Sequence, residues 1–193
     1  MAKYRGESAP VRGIVRVAVC DLDGTLVDSD AALADAFLAL GVAPSEITYG
    51  HVLSEECLRL GIAVGDYLNA YDSSKAVPFP GIQEMVTRLT RWAVCSNKHH
   101  DSGTAELDRF DWKPEVALFA DSFNGPKRLE PVLEALDLAP NDVVFLGDTA
   151  HDRHCAERAG ATFALAGWNP RARAEATDVV LSHPLDFLAL LTD

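Results

Sequence analysis

No apolar run in this 193-residue sequence approaches the roughly 20 residues that a membrane-spanning helix needs. Cysteine is scarce: Cys20, Cys57, Cys95 and Cys155 include no C-x-x-C pair and no zinc-like spacing. A chain long enough to bury a full core has no need of a disulfide framework, so the thiols read as small buried hydrophobes. Basic residues are in deficit. With 17 Lys and Arg against 29 Asp and Glu, the formal charge is −12, which excludes a broad nucleic-acid-binding face. A small site can still be locally positive inside an acidic protein, so phosphorylated substrates stay open. The N-terminal stretch MAKYRGESAPVRG lacks the apolar segment of a secretory leader. The expectation is a cytoplasmic protein, a monomer or homodimer, with neither membrane nor nucleic acid as partner.

What is present is a repeating order of short apolar run, turn and helical pattern. The runs are Ile14–Cys20, Trp92–Cys95, Val116–Ala120, Val143–Leu146 and Thr162–Ala166. None alternates strictly, as expected of strands buried on both faces. Helical stripes lie between them, one of Ile82, Met85, Val86 and Leu89 and another of Leu129, Val132, Leu133 and Leu136. Such alternation predicts an α/β fold, a Rossmann-like parallel sheet with right-handed crossovers. Residues 30–77 break the rhythm. They show no strand, only helical stretches punctuated by Gly41, Pro44, Gly61 and Gly65, with Leu33, Phe37 and Leu40 on one face. Gly41 suits a C-terminal cap, Pro44-Ser45-Glu46 a new helix start, and Asp66 an N-cap. The segment reads as a small α-helical cap inserted after the first strand, over core segments 1–29 and 78–193; an elaborated crossover is the plainer alternative.

Polar residues cluster where the apolar runs end. The first ends Cys20-Asp21-Leu22-Asp23-Gly24-Thr25, two carboxylates that repel unless a cation or proton offsets them. A turn or N-cap explains one Asp but not both with Gly-Thr. The second ends Cys95-Ser96-Asn97-Lys98, where a hydroxyl and backbone N–H groups suit a phosphoryl group; Ser-Asn is equally common as a helix cap. Gly125-Pro126-Lys127 opens the next helical pattern, placing a lysine where the helix dipole disfavours it unless it faces an anion; a solvated lysine is the rival reading. Another run ends Gly147-Asp148-Thr149-Ala150-His151-Asp152, with carboxylates four residues apart. Parallel strands end on one edge, so these groups can converge. Hard carboxylate oxygens collect Mg²⁺, a lysine offsets phosphoryl charge, and a carboxylate can attack phosphorus while a second serves as acid and base.

Asp-Leu-Asp-Gly-Thr-Leu-Val-Asp, Ser-Asn-Lys, Lys127 and Gly-Asp-Thr-Ala-His-Asp together resemble the four motifs of the haloacid dehalogenase superfamily, in the right order from about Val17 onward. Pro78-Phe79-Pro80-Gly81-Ile82 resembles the segment returning the chain from the cap. The resemblance implies a Mg²⁺-dependent phosphohydrolase, phosphoglycolate-phosphatase-like, acting on a small phosphomonoester through an aspartyl-phosphate. Asp21 would be the nucleophile and a metal ligand. Asp23 would be the general acid/base, its backbone carbonyl also reaching the metal. Ser96, Asn97 and Lys127 would hold the phosphoryl group, with Arg128 contesting the role of Lys127. Asp148 would ligate Mg²⁺, and Asp152 directly or through water. An Asp at position 23 disfavours haloacid chemistry. A phosphomutase shares the core residues, and a non-catalytic binding protein on this fold is the rival of a different class. Histidines 99, 100, 151 and 154 suggest no zinc site. His51, Arg59, Tyr67 and Lys75 are candidates to meet a leaving group, none with a pattern that singles it out.

Overall fold

The computed structural model describes residues 16–192. The first strand, β1 (Val17–Cys20), is buried throughout; Ile14 and Val15, the start of the run predicted there, lie outside the described residues. A two-residue strand, β2 (Val27–Asp28), leads into helices α1 (Asp30–Ala39), α2 (Leu53–Leu60) and α3 (Val64–Ala70). The chain returns through β3 (Val77–Pro78), antiparallel to β2, so both ends of the helical segment are pinned side by side. Then follow α4 (Ile82–Arg88), β4 (Trp92–Cys95), α5 (His100–Arg109) and β5 (Val116–Leu118). The last elements are α6 (Glu130–Leu136), β6 (Val143–Gly147), α7 (Ala150–Ala159), β7 (Thr162–Ala166) and β8 (Val179–Leu181).

Six strands form one parallel sheet in the order β5-β4-β1-β6-β7-β8. The order reverses direction around β1, so the edge beyond its C-terminal end is where a ligand cleft belongs. One face packs Ile82, Met85 and Val86 of α4 with Trp92, Leu107 and Phe119; the other packs Val132, Leu133 and Leu136 of α6 with Phe145 and Ala156. Helices α1–α3 have their own small core of Ala36, Phe37, Cys57 and Tyr67. No helix among the described residues is long and apolar enough to cross a membrane. All four cysteines are free and buried.

Several expectations of detail are corrected. Val116–Ala120 shortens to Val116–Leu118, and Ala120 opens a 3-10 turn. Pro44-Ser45-Glu46 makes a single 3-10 turn, closed by Glu46 accepting from the Ala43 N–H at 3.3 Å. Helix α3 starts before Gly65, so Asp66 lies in its first turn, where a carboxylate favours the dipole, rather than at the cap. Gly41 and Gly61 do take the left-handed backbone that ends α1 and α2. Strand β8 carries no readable pattern, because Val179 and Val180 are exposed.

Gly103 on α5 marks how tightly that helix lies on the sheet layer: a Cβ there would stand 2.3 Å from the Phe119 ring. In an open helix Gly→Ala stabilises by about 0.5–1 kcal/mol. Gly103→Ala should instead cost roughly 1–3 kcal/mol through overpacking in urea unfolding. A variant as stable as the parent, or more so, would contradict this contact.

Candidate active site

The site begins as an extension of the ladder. The Asp21 N–H donates to Leu146 O at 2.9 Å and the Ser96 N–H to Leu118 O at 3.0 Å, so both residues leave the sheet in register at one edge. Gly24 turns the chain back with a φ of +77°, and a Cβ there would lie 2.5 Å from an Asp148 carboxylate oxygen. Only glycine meets both demands.

Asp148 is held from two sides. Thr25 Oγ1 donates to its Oδ1 at 3.0 Å, and Asn169 Nδ2 donates to its Oδ2 at 2.8 Å while also reaching Gly24 O at 2.8 Å. Asp152 sits in the first turn of α7. Its Oδ2 accepts from the N–H groups of Asp148 (3.1 Å) and Thr149 (2.8 Å), and Thr149 Oγ1 in turn accepts from the Asp152 N–H, a capping box. That leaves Oδ1 facing Lys127.

Lys127 Nζ lies 2.7 Å from Asp21 Oδ1 and 2.5 Å from Asp152 Oδ1, with its side chain almost wholly buried. Arg128 is exposed, which assigns the inward cation to Lys127. The lysine stands before α6 rather than at its start, as the sequence had suggested. Its backbone N–H is bonded to Asn97 Oδ1 at 2.8 Å, so the chain enters the site as a turn, and the helix begins at Glu130 with Pro131 in its first turn. The helix-dipole argument for Lys127 therefore falls away, and the carboxylates alone account for its position.

Asp21, Asp148 and Asp152 each present a carboxylate oxygen within 4.8 Å of the others. Asp21 Oδ1 and Asp152 Oδ1 are buried and receive no well-directed hydrogen bond. Three hard oxygens, two of them without a well-directed bond and opposed by one lysine, make a donor set that fits a divalent cation. The Asp23 carboxylate stands outside this group, ion-paired with Lys98 at 2.6 Å, so any metal contact from Asp23 would fall to its backbone carbonyl.

Burial raises the Asp21 carboxyl to about 6; Lys127 opposes the rise and Asp152 adds to it. Asp148 is raised well above the carboxylate range, by burial first and then by Asp152 and Asp21. Burial would depress Lys127, but Asp152 and Asp21 more than reverse this and raise it.

Ser96 is buried, its Oγ accepting from the Lys98 N–H at 3.3 Å. The Asn97 side chain ties the two parts together, its Oδ1 accepting from the Lys127 N–H and its Nδ2 donating at 3.4 Å to Gly50 O of the helical segment. A cleft of about 610 Å³ opens over these residues, bounded by Asp21, Asp23, Ser96 and Asp148 below and by Leu33, Phe37, Ile47 and Leu53 above. Tyr67 and His51 also border it. Arg59 is bound to Glu56, and Lys75 to Asp35. His99 caps α5 and His100 begins it. His151 meets His51 edge-on at 6.0 Å.

Sequence reasoning missed Asn169, Lys98, Tyr71 and Glu106. Asn169 follows strand β7 on the edge that carries the other site residues, and Trp168-Asn169-Pro170 is a turn signal of the kind used to find them. Lys98 lay inside a quoted motif, but its buried partner Glu106 sits on a helix whose pattern gives no sign of an inward carboxylate.

Because Asp21 binds its proton more tightly folded than unfolded, its ionisation destabilises the fold. The penalty is absent below about pH 4, grows toward the folded value of about 6, and persists above it. Removing the charge with Asp21→Asn should raise stability at pH 8 in chelator by on the order of 2 kcal/mol. The gain should disappear near pH 4. Thermal unfolding of both proteins across that range checks this, and a pH-independent difference would refute it.

The profile of the haloacid dehalogenase-like hydrolases matches residues 18–166. A phosphoglycolate phosphatase of Aquifex aeolicus is 30% identical over an alignment that covers 92% of this chain and 97% of the relative. One from Xylella fastidiosa strain Temecula1 is 29% identical over 81% of this chain and 82% of its own. Among solved structures, CbbY from Rhodobacter sphaeroides in complex with phosphate superposes with a TM-score of 0.72 at 19% identity, covering 92% and 99% of the two chains; this is a likeness of fold. With the family profile spanning most of the chain and the strand-edge geometry in place, the chain belongs to the haloacid dehalogenase-like hydrolases, as a phosphatase-like member.

Proposed function

We propose that this enzyme hydrolyses a small phosphomonoester, with Asp21 as nucleophile, Asp23 as general acid/base and residues 30–77 as a cap on the core. One observation carries the reading: three buried carboxylates and one buried lysine converge at the end of β1, an arrangement whose mutual repulsion a stability argument alone does not explain. Its relatives' names make phosphoglycolate a first candidate substrate.

Asp21, Asp148 and Asp152 would hold Mg²⁺, which when bound offsets charge on the phosphoryl oxygens. Ser96, the Asn97 backbone and Lys127 hold the phosphoryl group with phosphorus facing Asp21. An Asp21 oxygen bonds to phosphorus as the ester P–O bond breaks, and Asp23 delivers a proton to the departing oxygen. Asp23 then takes a proton from water as that water attacks the phosphorus of the aspartyl-phosphate and the Asp21 O–P bond breaks, freeing phosphate and restoring the Asp21 carboxylate. The relatives named phosphoglycolate phosphatase favour hydrolysis over mutase chemistry; the cleft lining itself mixes Leu33, Phe37, Ile47 and Leu53 with the polar Thr48, His51 and Tyr67.

Turnover of a panel of phosphoglycolate, sugar phosphates, nucleotides and p-nitrophenyl phosphate should vanish in chelator and return with Mg²⁺. Ca²⁺ should inhibit, since its larger and looser shell misplaces the nucleophile. Full activity without a divalent ion would sink the metal assignment.

Asp21→Asn should abolish turnover of the whole panel, and a variant that still turned over, free of deamidation, would remove Asp21 from its role. In ¹⁸O-water the label should enter free phosphate during steady turnover. Isomerisation of sugar phosphates with negligible phosphate release would instead establish a mutase.

A further inference from the structure

Beside the phosphoryl end of the cleft, Asp23, Lys98, Tyr71 and Glu106 make a closed set of contacts. The Lys98 side chain is only 6% exposed, and its ammonium lies 2.6 Å from Asp23 Oδ1, 3.0 Å from the Tyr71 hydroxyl and 3.1 Å from Glu106 Oε1. The Tyr71 hydroxyl in turn donates to Glu106 Oε1 at 2.6 Å. An ammonium has three N–H donors, and each here has a partner inside the protein. Lys98 therefore borders the cleft without a donor to spare for a substrate anion.

Glu106 is the unusual member. It is fully buried on α5, one of its oxygens lacks a hydrogen-bond partner, and the other meets Lys98 and Tyr71. Burial raises its carboxyl, and Lys98 works against that rise. A buried carboxylate in this setting is costly unless its partner needs it. Its partners are the Lys98 ammonium and the Tyr71 hydroxyl, so Glu106 holds Lys98 through a second carboxylate besides Asp23. Three of the four residues belong to the core, and Tyr71 comes from the end of the helical segment.

We infer that Lys98 is a positioning residue for Asp23, anchored by Glu106, and that its bond to Tyr71 makes the aim of Asp23 depend on how the helical segment seats on the core. The inference rests on the reading of Asp23 as general acid. In the step it serves, the Asp21–phosphorus bond forms, the ester P–O bond breaks with its electron pair on the departing oxygen, and that oxygen takes the proton from Asp23. An alkoxide needs this proton and a nitrophenolate hardly does. Misaiming Asp23 should therefore slow the first transfer selectively for alkyl esters, while its later work as base on water is common to both. The value of kcat/KM reads only the steps through departure of the leaving group and so isolates the first effect, whereas general loosening of the site should lower kcat/KM alike for both classes.

The test compares an alkyl phosphate with p-nitrophenyl phosphate in the Mg²⁺-loaded enzyme, for Tyr71→Phe, Lys98→Met and the double variant Lys98→Met/Glu106→Gln, which avoids stranding a buried carboxylate. Since general acid catalysis contributes about 10²–10⁴-fold, the double variant should lower kcat/KM on the alkyl ester by about 10- to 100-fold. Its loss on the nitrophenyl ester should be at least tenfold smaller, which is the margin the leaving-group argument requires. Tyr71→Phe, which removes one hydroxyl and no charge, should shift the same ratio by a few-fold, with KM for both esters unchanged.

Equal losses of kcat/KM on the two esters would overturn the inference, by making the cluster structural or, where KM rises with kcat intact, by making Lys98 a substrate ligand. Asp23→Asn on the same pair separates the two levels. If it is selective for the alkyl ester while the Lys98 and Tyr71 variants are not, the positioning role fails and the general acid stands. If it too is unselective, the general acid fails and the positioning role with it.

Discussion

Three carboxylates crowd beneath the end of β1 with one lysine paired to two of them, and most of what surrounds them exists to make that tolerable. Like charges buried at this separation oppose folding unless each is answered by a donor or a cation. The fold supplies some answers permanently. Asp152 is satisfied on one oxygen by the first turn of α7, where backbone N–H groups and the helix dipole both favour an anion. Asp148 is satisfied by Thr25 and Asn169. What remains uncompensated is concentrated on Asp21 Oδ1 and Asp152 Oδ1, the two oxygens that flank Lys127.

The same constraint explains the local backbone. Gly24 is tight against Asp148, and Gly147 is tight against Asp152, where a Cβ would stand 2.3 Å from the Asp152 Cβ. Side chains at either position would push the carboxylates apart. Lys127 enters through a turn tied to Asn97 rather than on a helix, since a helical start would direct its N–H along α6 and away from that tie. The loop after β7 belongs to this system as well. It carries Asn169 inward, and Arg153 of α7 anchors it by pairing with Glu175 and Asp178.

The parallel sheet and the polar strand ends were legible in the sequence because their signals are local. Buried strands are short unbroken apolar runs, and Asp21, Ser96 and Asp148 follow them directly. The helical segment was legible as an interval without strands, though not its inner boundaries, since Asp66 and Pro44 occur in first turns without capping or starting α-helices. The residues that escaped notice act through partners distant in sequence. Lys98 meets Tyr71 and Asp23, 27 and 75 positions away, and Asn169 meets Gly24 across 145. No period or spacing encodes such pairs; they exist only once the sheet order is known.

The pinning of β2 against β3 has a consequence for how such a protein can change. Val27 pairs with Pro78 and Asp28 with Val77, so the helical segment leaves and rejoins the core through one narrow neck. The entropy of closing a chain between fixed ends grows only slowly with its length. The neck therefore uncouples the size of what it carries from the sheet below. Insertions, deletions or wholesale exchange between Asp28 and Val77 can reshape the roof of the cleft while β1 keeps its register with β4 and β6. What limits such change is the set of contacts around the small core of Phe37, Cys57 and Tyr67: Tyr71 with Lys98, Gly50 with Asn97, Asp30 and Tyr49 with Arg171, and His51 with His151.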